Sequence, residues 1–97
     1  MYGMYAIFRY GDDDFDVEKL RAIAQGAKRK FIGMPGLRLK SFTVDAARRE
    51  AVNLYVWESE QEARAFLDET QLARVTEVYG VRPIVHFVEV TALVENQ

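Results

Sequence analysis

His86 is the only histidine in this chain of 97 residues. It is also the only side chain type whose ordinary pKa lies near neutrality, which makes it the obvious general base. Lys40 and Arg9 are cations that could stabilise a developing oxyanion, and the amide of Asn53 could bind a carbonyl or phenolate oxygen. Tyr55 and Trp57 follow Asn53 at every second position in the stretch VNLYVWES. Their aromatic faces could stack on a flat ligand, with Phe42 completing a wall. Together these residues suggest a few polar groups set around a small flat ligand in an apolar cavity. No Ser-His-Asp order, HExxH, phosphate-binding loop, dinucleotide GxGxxG or EF-hand pattern appears. With one histidine and no cysteine, neither a transition-metal site nor a thiolate nucleophile is expected, and no cofactor is called for.

Two charged runs compete for attention. GDDD, at 11–14, lacks the ordered oxygen-ligand spacing of a hard-cation loop and reads as a solvated turn. AKRK, at 27–30, suits the C-terminal end of a helix, where cations oppose the helix dipole.

These groups must be positioned by a single domain spanning 1–97, which can bury one core. A formal net charge of −2 gives no broad basis for binding nucleic acid or an anionic membrane. No apolar run approaches a membrane span, and MYGMYAIFRYG lacks the basic start and small-residue cleavage site of a signal peptide, so the cytoplasm is the expected location.

The spacing predicts a strand over 2–10, then a helix capped by Asp16 with Val17, Leu20, Ile23, Ala24, Ala27 and Phe31 along its apolar stripe. Gly33 and Pro35 stop it. Strands at 37–44 and 51–58 flank the polar connection DAARRE. Ser59 and Glu62 form a capping box for a helix running to Tyr79, which Gly80 ends, and a last strand covers 83 to about 93. The order β-α-β-β-α-β predicts a ferredoxin-like α+β sandwich, with the first strand between the third and fourth.

Two helices cover one sheet face, and alternation should say what lies on the other. Pairing Val44 with Ala51 sets Phe42 against Asn53, Lys40 against Tyr55 and Arg38 against Trp57. Leu37, Leu39, Val52, Leu54 and Val56 are expected under the helices with Ala6, Phe8 and His86. The open face is then expected to carry Tyr5, Ile7, Arg9, Phe42, Asn53, Tyr55 and Trp57. Large exposed rings in one patch mark an interface or a ligand site. A homodimer closing two such sheets into a barrel, with room for one small aromatic or apolar ligand, would cover them. Alternatively, the rings fill a solid dimer core. Arg38 stacks on Trp57 or helps to bind a ligand, and Tyr79 closes one mouth of the cavity or belongs to the core. Arg9 and Lys40 meet either an anionic substrate or a carboxylate such as Glu89. A phase that places His86 under the helices argues against its use as a base.

The segments MPGL-x-x-K at 34–40, EAVNLYVWES at 50–59, EARAFL at 62–67 and YGV at 79–81 resemble the dimeric α/β-barrel superfamily. The chain is most similar to YdhR-type mono-oxygenases over nearly its whole length. The resemblance implies a homodimer with a barrel cavity and cofactor-independent mono-oxygenase activity. Related branches form quinones from aromatic polyketides or degrade haem. The haem-degrading branch shares a strand tryptophan, here Trp57, but also uses a helix histidine and an early first-strand asparagine that this chain lacks. A binding or stress-associated dimer without catalysis is the alternative that the same fold allows.

Overall fold

The computed structural model describes residues 1–96. It contains β1 (Tyr2–Arg9), α1 (Val17–Phe31), β2 (Leu37–Asp45), β3 (Glu50–Trp57), α2 (Glu60–Phe66), α3 (Glu69–Tyr79) and β4 (Ile84–Glu89). The antiparallel sheet has the order β2-β3-β1-β4, so β1 lies between β3 and β4 as the crossover rule requires. This is the ferredoxin-like α+β fold. Among the described residues no helix is long and apolar enough to cross a membrane.

Local chemistry sets the helix ends. The Asp16 carboxylate accepts the Lys19 backbone N–H at 3.1 Å. The Ser59 hydroxyl accepts the Glu62 N–H at 3.2 Å and donates to the Glu62 carboxylate at 2.9 Å. The expected single helix over 59–79 is two. α2 ends at Phe66, and the Asp68 side chain accepts the Gln71 N–H at 2.8 Å to start α3 afresh. Competition from an aspartate that can cap outweighs continuation of the apolar stripe. Gly80 closes α3 in the left-handed region at φ 82°. β4 ends at Glu89, short of the expected 93.

The hairpin register holds for Val44–Ala51, Phe42–Asn53 and Lys40–Tyr55, but a bulge between Leu37 and Leu39 sets Leu37 against Trp57. Arg38 is the residue left over. Instead of stacking on Trp57 it pairs with Glu58 at 3.5 Å and Glu95 at 3.3 Å.

The expected faces hold for β1, with Ala6 and Phe8 under the helices and Tyr5 and Ile7 on the open side, but those of β3, β4 and most of β2 are inverted. Asn53, Tyr55 and Trp57 are turned toward the helices and buried, with 4%, 5% and 3% exposure. They share that face with Met4, Ala6 and Phe8, because β1 pairs Met4 with Tyr55 and Ala6 with Asn53. The open face is aliphatic. Leu39, Leu54, Ile84 and Val88 are exposed there beside Tyr5 and Ile7. His86 lies on the same open side, its ring 4.9 Å from that of Tyr5, and not under the helices. Both faces of central β3 are apolar, so alternation separates two sets without saying which one the helices take. Packing decides. Phe66 of α2 lies 5.1 Å from Trp57 and 5.4 Å from Tyr55, and Phe31 of α1 lies 6.0 Å from Tyr55. Rings of this size, each worth roughly 1.5–3 kcal/mol when buried, fill a wide gap between layers.

Candidate functional site

The helix side of the sheet is not completely filled. α1 presents Ala22, Gly26 and Ala27 toward α3, and these small residues leave a cleft of about 360 Å³. Phe31, Phe42 and Tyr55 form its aromatic wall, and Asn53 and Tyr79 its polar floor. On the other side of α1, a second hollow of about 420 Å³ opens toward β2 and shares Phe42, Asn53 and Tyr79. Polar groups converging in an apolar hollow are the expected form of a small-molecule site.

Asn53 and Tyr79 define the floor. The Asn53 Nδ2 donates to the Tyr79 hydroxyl at 3.0 Å, well inside the protein. Tyr79 is held in place by its ring, stacked 3.9 Å from Phe8, and by its carbonyl, which accepts the Tyr10 hydroxyl at 2.7 Å. Ala6 and Ala51, small residues on the strands, let this ring reach the sheet. Burial pushes the Tyr79 phenol up from its ordinary pKa, while the Asn53 hydrogen bond pulls it down. Burial likewise raises Tyr55, with Tyr79 adding to the rise and Asn53 opposing it. Both phenols therefore stay protonated and can donate hydrogen bonds.

Lys40 is the unusual cation. Its Nζ lies 3.7 Å from the ring centre of Phe42, 4.1 Å from Tyr55 and 5.2 Å from Phe31. Among the described residues it forms no ion pair. Its one hydrogen bond, to the Ser41 carbonyl, is stretched to 3.5 Å. The three rings compensate part of the lost hydration. Burial and then the neighbouring Lys30 charge bring the amine down to about 7 from its ordinary 10.5. Lys40 can therefore exchange a proton near neutrality.

The structure thus brings Asn53, Tyr55, Phe42 and Tyr79 to one cleft, with Lys40 against the Phe42 and Tyr55 rings in the adjoining groove, and sets Trp57 behind Tyr55 with their ring centres 6.4 Å apart. Among the described residues the buried Trp57 Nε1–H meets no hydrogen-bond acceptor. Four expected site residues lie on the other face of the sheet. Tyr5, Ile7 and His86 belong to the open face, and Arg9 on that side pairs with Glu50 at 2.8 Å. Neither Arg9 nor Lys40 meets Glu89, because that residue sits on β4, paired to Tyr2 across β1. Arg38 borders an outer groove with Lys40 and not the cleft itself. Sequence reasoning missed Phe31, Lys30 and Arg74, which line the cleft from α1 and α3. The stripe spacing pointed to Phe31 only as core, and nothing in the spacing marked Lys30 or Arg74. Among the described residues no group of three or more His, Asp or Glu side chains could hold a metal ion.

No family model and no curated protein matches the sequence. Solved structures do match in shape. A mono-oxygenase of Streptomyces coelicolor, solved with nanaomycin D, superposes with TM-score 0.67 and 22% identity, covering 98% of this chain and 92% of that one. A Mycobacterium tuberculosis protein gives TM-score 0.68 at 15% identity, covering 97% of this chain and 98% of that one. A candidate antibiotic biosynthesis mono-oxygenase of Deinococcus radiodurans gives 0.63 at 10%, covering 100% and 99%. At such identities the likeness speaks for architecture and does not single out the YdhR type. The chain shares the fold of these solved structures, two of which carry mono-oxygenase names.

Proposed function

We propose that the protein is a cofactor-independent mono-oxygenase acting on a small phenolic compound in the cleft between α1, α3 and the sheet. The observation that carries the reading is the caged Lys40 amine, in contact with the same rings that wall the cleft above the Asn53–Tyr79 floor. The mono-oxygenase names of the structural neighbours support it.

In this reading Lys40, as the free amine in the groove that adjoins the cleft at Phe31 and Phe42, takes the phenolic proton through a bridging water. Asn53 Nδ2 and the Tyr79 hydroxyl stabilise the phenolate oxygen. The phenolate passes one electron to O2, and the resulting substrate radical and superoxide join at a ring carbon. That carbon then loses its hydrogen, the O–O bond breaks and water leaves, giving a quinone. One phenol and one O2 become one quinone and one water, with the ring supplying all four electrons. The dry aromatic wall favours electron transfer from an ionised substrate by keeping water off it.

The open sheet face would close against a second copy, making the working form a homodimer. The observation behind this is the row Tyr5, Leu54, Ile84 and Val88, an apolar patch too continuous for an isolated surface. A second reading, a dimer that binds a ligand without turning it over, draws on the mutual satisfaction of Asn53 and Tyr79, which needs no substrate.

Oxygen uptake with hydroxylated naphthalenes and no added cofactor tests the enzyme. Turnover should fall by at least about a hundredfold in Lys40→Met, and fall clearly in Asn53→Ala. Unchanged turnover in both variants would sink the assignment. No uptake across the panel, with ligand still bound, would leave the binding reading.

A further inference from the structure

We propose that the cleft takes an aromatic carboxylate, with its ring against Phe31, Phe42 and Tyr55 and its carboxylate between Lys30 and Arg74. This deepens the reading above and rests on the same cleft, and it concerns which ligand enters and not what becomes of it.

The argument begins with the sign of the charges. The cleft shares Phe42, Asn53 and Tyr79 with the hollow beside β2, and shares Phe31 and Phe42 with the outer groove that holds Lys40. Around these three adjoining spaces the ionisable charges are Arg21, Lys28, Lys30, Arg38, Lys40 and Arg74. Among the described residues no Asp or Glu lines any of them. The whole chain has 15 acidic residues against 13 basic ones. A random draw from that set would favour acids slightly, so six cations and no anion mark the region as selectively positive. A concave surface of one sign concentrates ligands of the other.

The second step separates cations already engaged from those that are free. Arg21 holds Glu18, and Arg38 holds Glu58 and Glu95. Lys30 and Arg74 form no ion pair among the described residues, and both border the aromatic cleft itself. The Lys30 Nζ lies 5.3 Å from the Phe31 ring centre, so its charge sits beside the wall that would hold a ring. Lys30 also presses on the Lys40 charge without an anion to compensate either of them. A carboxylate at this mouth would relieve that repulsion and could accept two hydrogen bonds from the Arg74 guanidinium. Gln71, on the same side of α3, adds an amide donor. The wall is aromatic and the floor uncharged, so the ligand's charge belongs at the mouth and its ring inside.

Calorimetry on the full chain at low salt would compare a hydroxynaphthoate with the matching neutral hydroxynaphthamide, and with inorganic phosphate alone. The acid should bind about tenfold more tightly than the amide, a difference that shrinks as salt is raised. Phosphate alone should bind far more weakly than the acid. In the double variant Lys30→Gln with Arg74→Gln the acid should lose its advantage over the amide. Equal affinities in the parent chain would overturn the proposal, as would an advantage that survives the double variant, phosphate binding as tight as the acid's, or no binding of either aromatic. Charge-selective binding with no oxygen uptake would remove the mono-oxygenase reading alone. Uptake with the same KM for acid and amide would remove the carboxylate alone.

Discussion

The Asn53 amide donates to the Tyr79 hydroxyl at 3.0 Å, joining the middle of a central strand to the last residue of α3. Each is the other's buried polar partner. Tyr79→Phe should therefore strand the amide and destabilise the fold by about 1–3 kcal/mol. A double-mutant cycle with Asn53→Ala, followed by urea unfolding, should show a coupling of about 0.5–3 kcal/mol. Additive single variants would mean that the two side chains do not act together.

Lys40 sets a pH dependence whose sign can be worked out. Its amine titrates near 7 in the folded chain, brought down by burial and then by Lys30, and near 10.5 once unfolded. Between those values the unfolded chain binds more protons, so this group makes stability rise with pH across the window. Below about 7 both states are protonated and the penalty is full. The stability of the parent chain relative to Lys40→Met should thus be lowest at and below neutrality and improve toward pH 10. A relative stability that stays flat or falls over that range would show that the amine is not held down.

If Lys40 accepts the substrate proton, kcat/KM should rise through a pKa near 7 and then level. Lys40→Met should remove that limb of the profile along with most of the rate. A limb that persists in the variant would assign it to another group, with His86 on the open face as the first to examine by substitution.

Two glycines should respond oppositely to alanine. Gly36 sits at φ 82°, where a β-carbon would also run into the Glu62 carboxylate, so Gly36→Ala should destabilise by about 1–3 kcal/mol. Gly26, inside α1, has no other described atom within 4 Å of the position a β-carbon would take, its chain neighbours and its own helix backbone aside. Gly26→Ala should stabilise by about 0.5–1 kcal/mol in thermal or urea unfolding.

The open sheet face can be tested on Leu54, which lies between Tyr5 and Ser41 with 39% exposure. Leu54→Glu should leave far-ultraviolet dichroism unchanged while light scattering at micromolar concentration falls from twice the chain mass to once. A parent chain that scatters as a monomer at that concentration would remove the dimer.

The topology was legible because turns and caps are local. Asp16, Ser59 with Glu62, and Gly80 each act within a few residues of themselves, and the crossover rule then orders the strands. The faces of β3 were not legible, because the choice between Leu54 and Tyr55 depends on Phe31 and Phe66 meeting across the layers. β1 keeps its expected faces while β3 and β4 change theirs, so Tyr5, Ile7 and His86 all end on the side away from Asn53, since period-two geometry moves the set on a strand together. Asn53, Tyr55, Phe42 and Lys40 stay together for the same reason. Trp57 was grouped with them correctly, but Arg38 was not, because one extra residue in β2 shifts it out of phase.

The break between α2 and α3 has a consequence for how such a protein could change over generations. Asn53 sits on the strand before α2, whereas Tyr79, Arg74 and Gln71 ride on a helix with its own start at Asp68. Adding or deleting a residue beside Leu67 would swing one jaw of the cleft by a fraction of a helical turn while leaving the sheet untouched. Substrate preference could therefore drift through length changes at a single joint, without any substitution in the aromatic wall.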